Sequence, residues 1–356
     1  MELYAAHDGM WFLPKFKIWF CDWDMPGSVI LCRYDPRRAC IEGLRLVAVA
    51  RDIVYSRWVE NEDVVIHTFK PKVNLHLDSP VLQLNPGDAI GPRAGGVDQG
   101  ELRSRFSRQT TMDLHDQFTY SRLALTRPLD EQTAQTKLLE DHPYGSIWPP
   151  PTIPAHHHVS GSGCERAYDY PVLRSEVSDQ TFRIFKGIRR HIGLGPNPFP
   201  LDPRIPVAPQ SAMLTGERNM TYSTLDPVLY TPTPTKPWRG IWVGDYTAHG
   251  CEFLLVHQPD DPPATDAELS LVRSATETDD EWERRRLEAR IYRGRLEGIK
   301  LTGDANVPRG EYSFIAHNLG QDGLIGVAEQ PPFTGARIVH SAGHVAATGF
   351  QDGELP

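Results

Sequence analysis

Two short turns carry the side chains in this sequence best suited to chemistry. The first, GDYTAHG, runs from Gly244 to Gly250 between the apolar runs Gly240–Val243 and Cys251–Val256. The second, KLTGDANVPRG, runs from Lys300 to Gly310. Glycine, Asp and Asn in such density make tight turns that bond to their own backbone. One reading is therefore a pair of hairpin turns that satisfy only themselves. The other takes the surplus of polar groups as a pocket. Tyr246, His249, Gly250, Lys300, Thr302, Gly303, Asp304 and Asn306 offer backbone amides, an ammonium, an imidazole, an amide and a carboxylate. Such a set binds the end of an extended peptide. Lys300 and His249 would donate to a chain-terminal carboxyl or amide, and Asp304 would fix which backbone groups face it.

The other clusters point away from catalysis and metals. AHHH at Ala155–His158, with Cys164 nearby, invites a zinc reading. Successive side chains on an extended segment alternate in direction, so only His156 and His158 can share a site. Zinc spacing also wants a second pair, which the sequence lacks, so we read a packed or solvated loop. Cys21, Cys32 and Cys40 are separated by strand-like residues and read as core thiols. The chain has no G-x-S-x-G, no phosphate-binding G-x-x-x-x-G-K-[ST], no H-E-x-x-H and no strand-linked G-x-G-x-x-G. No catalytic residue, metal or cofactor is expected.

The turns need strands to position them. Met10–Phe20, Gly27–Asp35, Cys40–Ala50 and Asp63–Asp78 read as strands, the last two with alternating apolar residues. Near the other end, Gly240–Asp245, Cys251–His257, Glu288–Leu301, Glu311–His317 and His344–Phe350 read the same way. The acidic stretch Asp260–Arg286 between them reads as a mobile loop within a hairpin. The middle, 85–235, reads as a long irregular Pro-rich insertion with short helices near Thr111–Leu125 and Leu129–Glu140. The strongest helix there is Ser178–Ile192, where Phe182, Phe185, Ile188 and Ile192 fall on one face and Ser178 or Asp179 caps the start. The expectation is one mainly β, barrel-like domain over 1–356, built from N-terminal strands (1–84) and C-terminal strands (236–356) around that insertion.

Composition narrows the partners. The 356 residues carry a net charge of −9, which disfavours nucleic acid and anionic membranes for the chain as a whole. No run approaches the length of a membrane-spanning helix, and the start has no secretory pattern. The five scattered cysteines fit a reducing compartment, cytoplasmic or nuclear.

The two turns also carry a resemblance. Gly244, Tyr246, His249 and Gly250, followed by Lys300–Asp304, Asn306–Pro308 and Gly310, resemble the substrate-binding domain of the F-box only protein 31 family. Thr221–Pro234, Gly343–Pro356 and Gly9–Val47 are similar to flanking segments, the last to the fungal branch. The resemblance implies a substrate-recognition subunit of a Skp–cullin–F-box ubiquitin ligase, non-catalytic itself. Its barrel would hold a C-terminal or extended degron peptide of a substrate protein, a D-type cyclin in animals. The family's F-box docks the Skp adaptor, and with it the cullin. No leucine-rich three-helix segment precedes Trp11, so the chain by itself is expected not to bind that adaptor. The rival expectation is a stand-alone β-barrel module for a small ligand or signalling partner.

Overall fold

The computed structural model describes residues 7–23, 25–86, 108–112, 114, 119–140, 147–161, 170–188, 218–304 and 306–344. Its elements follow in chain order. Helix α1 (Phe12–Phe16) leads into β1 (Ile18–Cys21), β2 (Ser28–Asp35), β3 (Cys40–Arg57), β4 (Val65–Leu75) and β5 (Leu82–Leu84). Then come β6 (Gln109–Met112), β7 (Thr119–Leu125), α2 (Glu131–Glu140), β8 (Ile147–Trp148), β9 (Val159–Ser160), β10 (Thr181–Ile188) and β11 (Arg218–Thr224). The last third holds α3 (Pro227–Tyr230), β12 (Gly240–Asp245), β13 (Cys251–His257), α4 (Asp279–Ile291), β14 (Leu296–Lys300), β15 (Tyr312–Ala316), β16 (Leu324–Val327), β17 (Arg337–Val339) and β18 (Ala342–Gly343). The chain is mainly β, as its alternating patterns predict.

The larger sheet runs β4-β3-β2-β1-β11-β10-β7-β6, and β5 pairs with β3. Because β5 also comes close to β6, the sheet curls nearly shut, with no ladder across the β5–β6 seam among the described residues. Alternate residues of its strands other than β4 point inside: Trp19, Ile30, Ile41, Leu84, Met112, Leu123, Phe182 and Tyr222 are all buried. The rings of Phe182 and Tyr222 stack at 5.0 Å, and the edge of Trp19 meets Phe182 at 4.9 Å. Burying one such side chain stabilises the fold by roughly 1.5–3 kcal/mol.

The second sheet, β12-β13-β14-β15-β18, lies against the outside of this barrel. Its inner residues Ile241, Phe253, Leu255, Ile299 and Leu301 pack with Phe20, Val29, Leu46, Ala48 and Trp148. The outer half of β3 and all of β4 form a long ribbon. His67 on that ribbon places Nε2 3.2 Å from Asp245 Oδ2 in β12. Trp58 and Ile66 near its tip pack with Ala328 and Ile338, and Glu60 accepts from the Glu329 and Gln330 amides.

Several elements differ from expectation. Thr181–Ile188 is strand β10, not the centre of a helix, and pairs with both β7 and β11. The helical spacing of Phe182, Phe185 and Ile188 coincides with a strand alternation in which Phe182 and Ile184 point inward. Gly187 decides the matter: a Cβ there would sit 2.5 Å from the Tyr120 ring opposite, which is how a strand glycine admits a cross-strand aromatic. Thr111–Leu125 likewise gives β6 and β7. The segment 85–235 is thus no mere insertion: it supplies β6, β7, β10 and β11 to the main sheet. Asp260–Arg286 is not a loop throughout, since α4 begins at Asp279. Thr278 caps it and Glu281 reaches back, a capping box written in the sequence as TDDE. Arg286 and Arg290 both pair with Asp266 of the preceding segment. Met10–Phe20 begins as α1, and Glu288–Leu301 is helix to Ile291 before it becomes β14. Residues 345–350 of the last expected strand lie outside the described residues. No helix among the described residues is long and apolar enough to cross a membrane.

Candidate functional site

The turn after β14 is the anchor of the site. Lys300 is buried, and its chain bonds both ways to the turn: Lys300 N donates to Glu311 O, and Gly310 N donates to Lys300 O. Asp304 folds the intervening loop. Its Oδ1 accepts from Asn306 N at 2.6 Å and Val307 N at 2.9 Å. Gly303 is the tightest point, where a Cβ would stand 2.5 Å from the backbone nitrogen of Arg309. No side chain fits there. Gly303 N donates to Pro26 O and Arg309 N to Met25 O, which staples this loop to the β1–β2 connection.

Beneath the loop sits a buried charge cluster. Lys300 Nζ lies 2.8 Å from Glu252 Oε2, 3.0 Å from Asp304 Oδ2 and 4.0 Å from the centre of the Tyr246 ring. Tyr246 Oη is 2.8 Å from Ser313 Oγ. Two carboxylates share one ammonium, so one of them keeps a proton. Burial pushes Glu252 up to about 8, against the pull of Lys300. Burial works on Asp304 in the same direction. Yet the Val307 amide, a hydrogen bond with Glu252, Lys300 and the Asn306 amide together hold its carboxyl well below the usual range. Burial thus favours a proton on Glu252, while the amides and Lys300 favour the ionised form of Asp304.

In front of the cluster a cleft opens. The β2–β3 ladder ends at Ile30–Arg45. Beyond that pair the two strands part, because Ser28 and Val29 stay with β1 while Leu46–Ala48 continue with β4. The gap is about 390 Å³, walled by Gly27–Val29 and Arg45–Ala48 and floored by His249, Cys251, Phe253, Thr302 and Gly303. No ladder joins the two walls among the described residues. Strand edges without ladder partners present N–H and C=O groups that another extended chain can meet.

The outer face of the second sheet carries a different feature. Trp238, Trp242, Tyr246, Leu254, Val256 and Phe314 line an apolar groove of about 350 Å³, with Ser313 among them.

The structure gathers the eight residues named from the sequence at one end of the second sheet, in two roles. His249, Thr302 and Gly303 line the cleft. Tyr246, Lys300 and Asp304 form the knot behind it. Gly250 closes the β12–β13 turn at φ 82°, and Asn306 Nδ2 lies 3.1 Å from His249 Nε2. Thr302 Oγ1 is engaged, accepting from Phe253 N at 2.8 Å. The Lys300 ammonium is enclosed by Glu252, Asp304 and Tyr246, so a ligand carboxyl does not reach it without breaking the cluster. Sequence reasoning missed Glu252, although an acid inside the apolar run CEFLLV was its signal. It also missed the strand walls at Ser28–Val29 and Leu46–Ala48. The three histidines face different partners: His156 Nε2 is 3.5 Å from Asp226, His157 Nδ1 is 2.9 Å from Ser178 Oγ, and His158 Nδ1 is 3.0 Å from Pro149 O. Cys164 lies outside the described residues, and no metal-binding group of three side chains occurs among the described ones.

The family model described as Cyclin D1 binding domain matches residues 222–355. That span is well under half of the chain. It begins at Tyr222 in β11 and takes in the second sheet, the Lys300–Gly310 turn and the floor of the cleft, but neither strand wall. No curated protein matches the chain.

Proposed function

We propose that this chain is a protein-binding receptor that takes an extended segment of a partner into the cleft between β2 and β3. In this reading it is the substrate-recognition subunit of a Skp–cullin–F-box ubiquitin ligase, and the segment is a C-terminal or extended degron. The observation that carries the reading is the end of the β2–β3 ladder at Ile30–Arg45, which leaves two facing strand edges above a floor containing His249, Thr302 and Gly303. The match to a Cyclin D1 binding domain supports a protein partner. An added strand would bond to the edges through its backbone and place alternate side chains against the floor.

A labelled peptide from the C-terminal tail of a D-type cyclin tests the reading. Fluorescence anisotropy is expected to give micromolar or tighter binding. His249→Trp, an exposed position, should fill the floor and weaken binding about tenfold or more without changing the melting temperature. Absence of binding, or binding that His249→Trp leaves untouched, overturns it. The ligase role is tested separately, by whether the native protein co-purifies from cells with the Skp adaptor and cullin. A second reading, a module for a small apolar ligand, draws on the aromatic groove around Trp242, whose size is that of a small-molecule site.

A further inference from the structure

We infer that the segment of the partner leaving the cleft is acidic, and that it lies along one face of the β3–β4 ribbon. The inference rests on the cleft reading for where the partner enters. Residues that alternate along a ribbon share a face, and the register here sets Val47 opposite Asn74, Val49 opposite Lys72, and Arg51 opposite Lys70. His76 N donates to Arg45 O, which places the pair Arg45 and His76 at the cleft end of the same strip. One face therefore carries Arg45, Arg51, Lys70 and Lys72, with Val47 and Val49 between, and all six are exposed. The opposite face, with Leu46, Ala48, Ala50, Pro71, Val73 and Leu75, has no charge.

Neither 45–51 nor 70–76 contains a carboxylate, in a chain of net charge −9. Asp52 at the ribbon's bulge lies 2.9 Å from Lys70. Arg45 and Val47 belong to both the strip and the cleft wall. A chain seated in the cleft thus passes onto the strip without a break. From Arg45 to Arg51 the strand advances about 20 Å. An extended partner of similar length, with Asp or Glu near its ends and apolar residues between, matches the order cation, valine, valine, cation. Charge of the opposite sign along such a strip raises the rate of encounter and fixes register.

The test uses the full chain, wild type and Arg51→Glu/Lys72→Glu, neither residue lining the cleft. Three labelled probes are titrated by anisotropy at low and at physiological salt: an alternating Glu-Gly peptide, its Gln-Gly counterpart, and a single-stranded oligonucleotide of equal length. The Glu-Gly peptide should bind in preference to the Gln-Gly peptide, weaken with salt, and lose about tenfold or more in affinity on the double reversal. Equal binding of the two peptides, or no effect of the reversal, overturns the inference. So does an oligonucleotide that binds as tightly as the Glu-Gly peptide and is lost on reversal, since the strip is then a nucleic-acid surface. The cyclin-tail titration separates the two claims. If that peptide fails to bind while the Glu-Gly peptide binds and is lost on reversal, the cleft reading falls and the acidic-partner strip stands.

Discussion

Replacing Glu252 by Gln isolates the proton that the buried cluster holds. The folded carboxyl titrates near 8, whereas an unfolded one titrates at its ordinary 4.5. Between those values the folded chain keeps a proton that the unfolded chain releases. Stability from this group is therefore fully present below pH 4.5 and lost as pH rises through 8. Each pH unit in the window costs about 1.4 kcal/mol, so the whole window is worth at most about 5 kcal/mol. Burial also raises Glu311 beside the cluster, to about 7, with the same sign, but that group is common to both proteins and cancels in their comparison. Asp304, held low, contributes stability that is present above the ordinary carboxylate range and lost only in acid. Gln at 252 mimics the protonated acid, with an amide to donate to Asp304 and an oxygen to accept from Lys300. Urea unfolding of wild type and Glu252→Gln from pH 5 to pH 9 reads the effect. The variant should match wild type near pH 5 and exceed it progressively toward pH 8. Parallel curves across that range would refute a shared proton in the cluster.

Other substitutions in the same knot have distinct outcomes. Lys300→Met leaves two carboxyls buried without their cation and should cost about 3–5 kcal/mol in urea unfolding. Asp304→Asn turns an amide toward the Lys300 ammonium, donor against donor, and should cost about 2–4 kcal/mol, with tail binding per folded molecule unchanged. Gly303→Ala drives a methyl to 2.5 Å from backbone that is itself stapled to Met25, and should cost more than about 2 kcal/mol. A melting temperature unmoved by Gly303→Ala would contradict the packing of this turn.

The second sheet was the most legible part of the fold. Trp242 and Gly244, then Leu254 and Val256, alternate along β12 and β13 as the sequence predicts, and the turns at Gly250 and Gly303 fall where glycine and Asp demand them. The Thr181–Ile188 segment misled because Phe182, Phe185 and Ile188 fit a helical face while Phe182, Ile184 and Ile188 fit a strand face equally well. Only pairing with β7 and β11 chooses between them, and those partners are over fifty and over thirty residues away in sequence. The site was half legible for a related reason. His249, Thr302, Asp304 and Asn306 announce themselves by type. The cleft walls do not, because Ser28–Val29 and Leu46–Ala48 read as ordinary strand. What makes them a site is that β3 runs on with β4 past the last residue β2 shares with it, a matter of tertiary pairing alone. Lys300 was read as a donor to a ligand carboxyl, a reading that left out the buried acid 2.8 Å from its ammonium. Its ammonium answers Glu252, whose meaning depends on which strand faces which.

Amide hydrogen exchange with and without the D-type cyclin tail peptide tests the central claim most directly. An added strand must bond to the free strand edges, so binding should slow exchange at Ser28–Val29 and at Leu46–Ala48 together. Exchange on the outer face around Trp242 should stay as it was. Protection confined to the Trp242 groove, or binding with no protection of either cleft wall, would contradict the account.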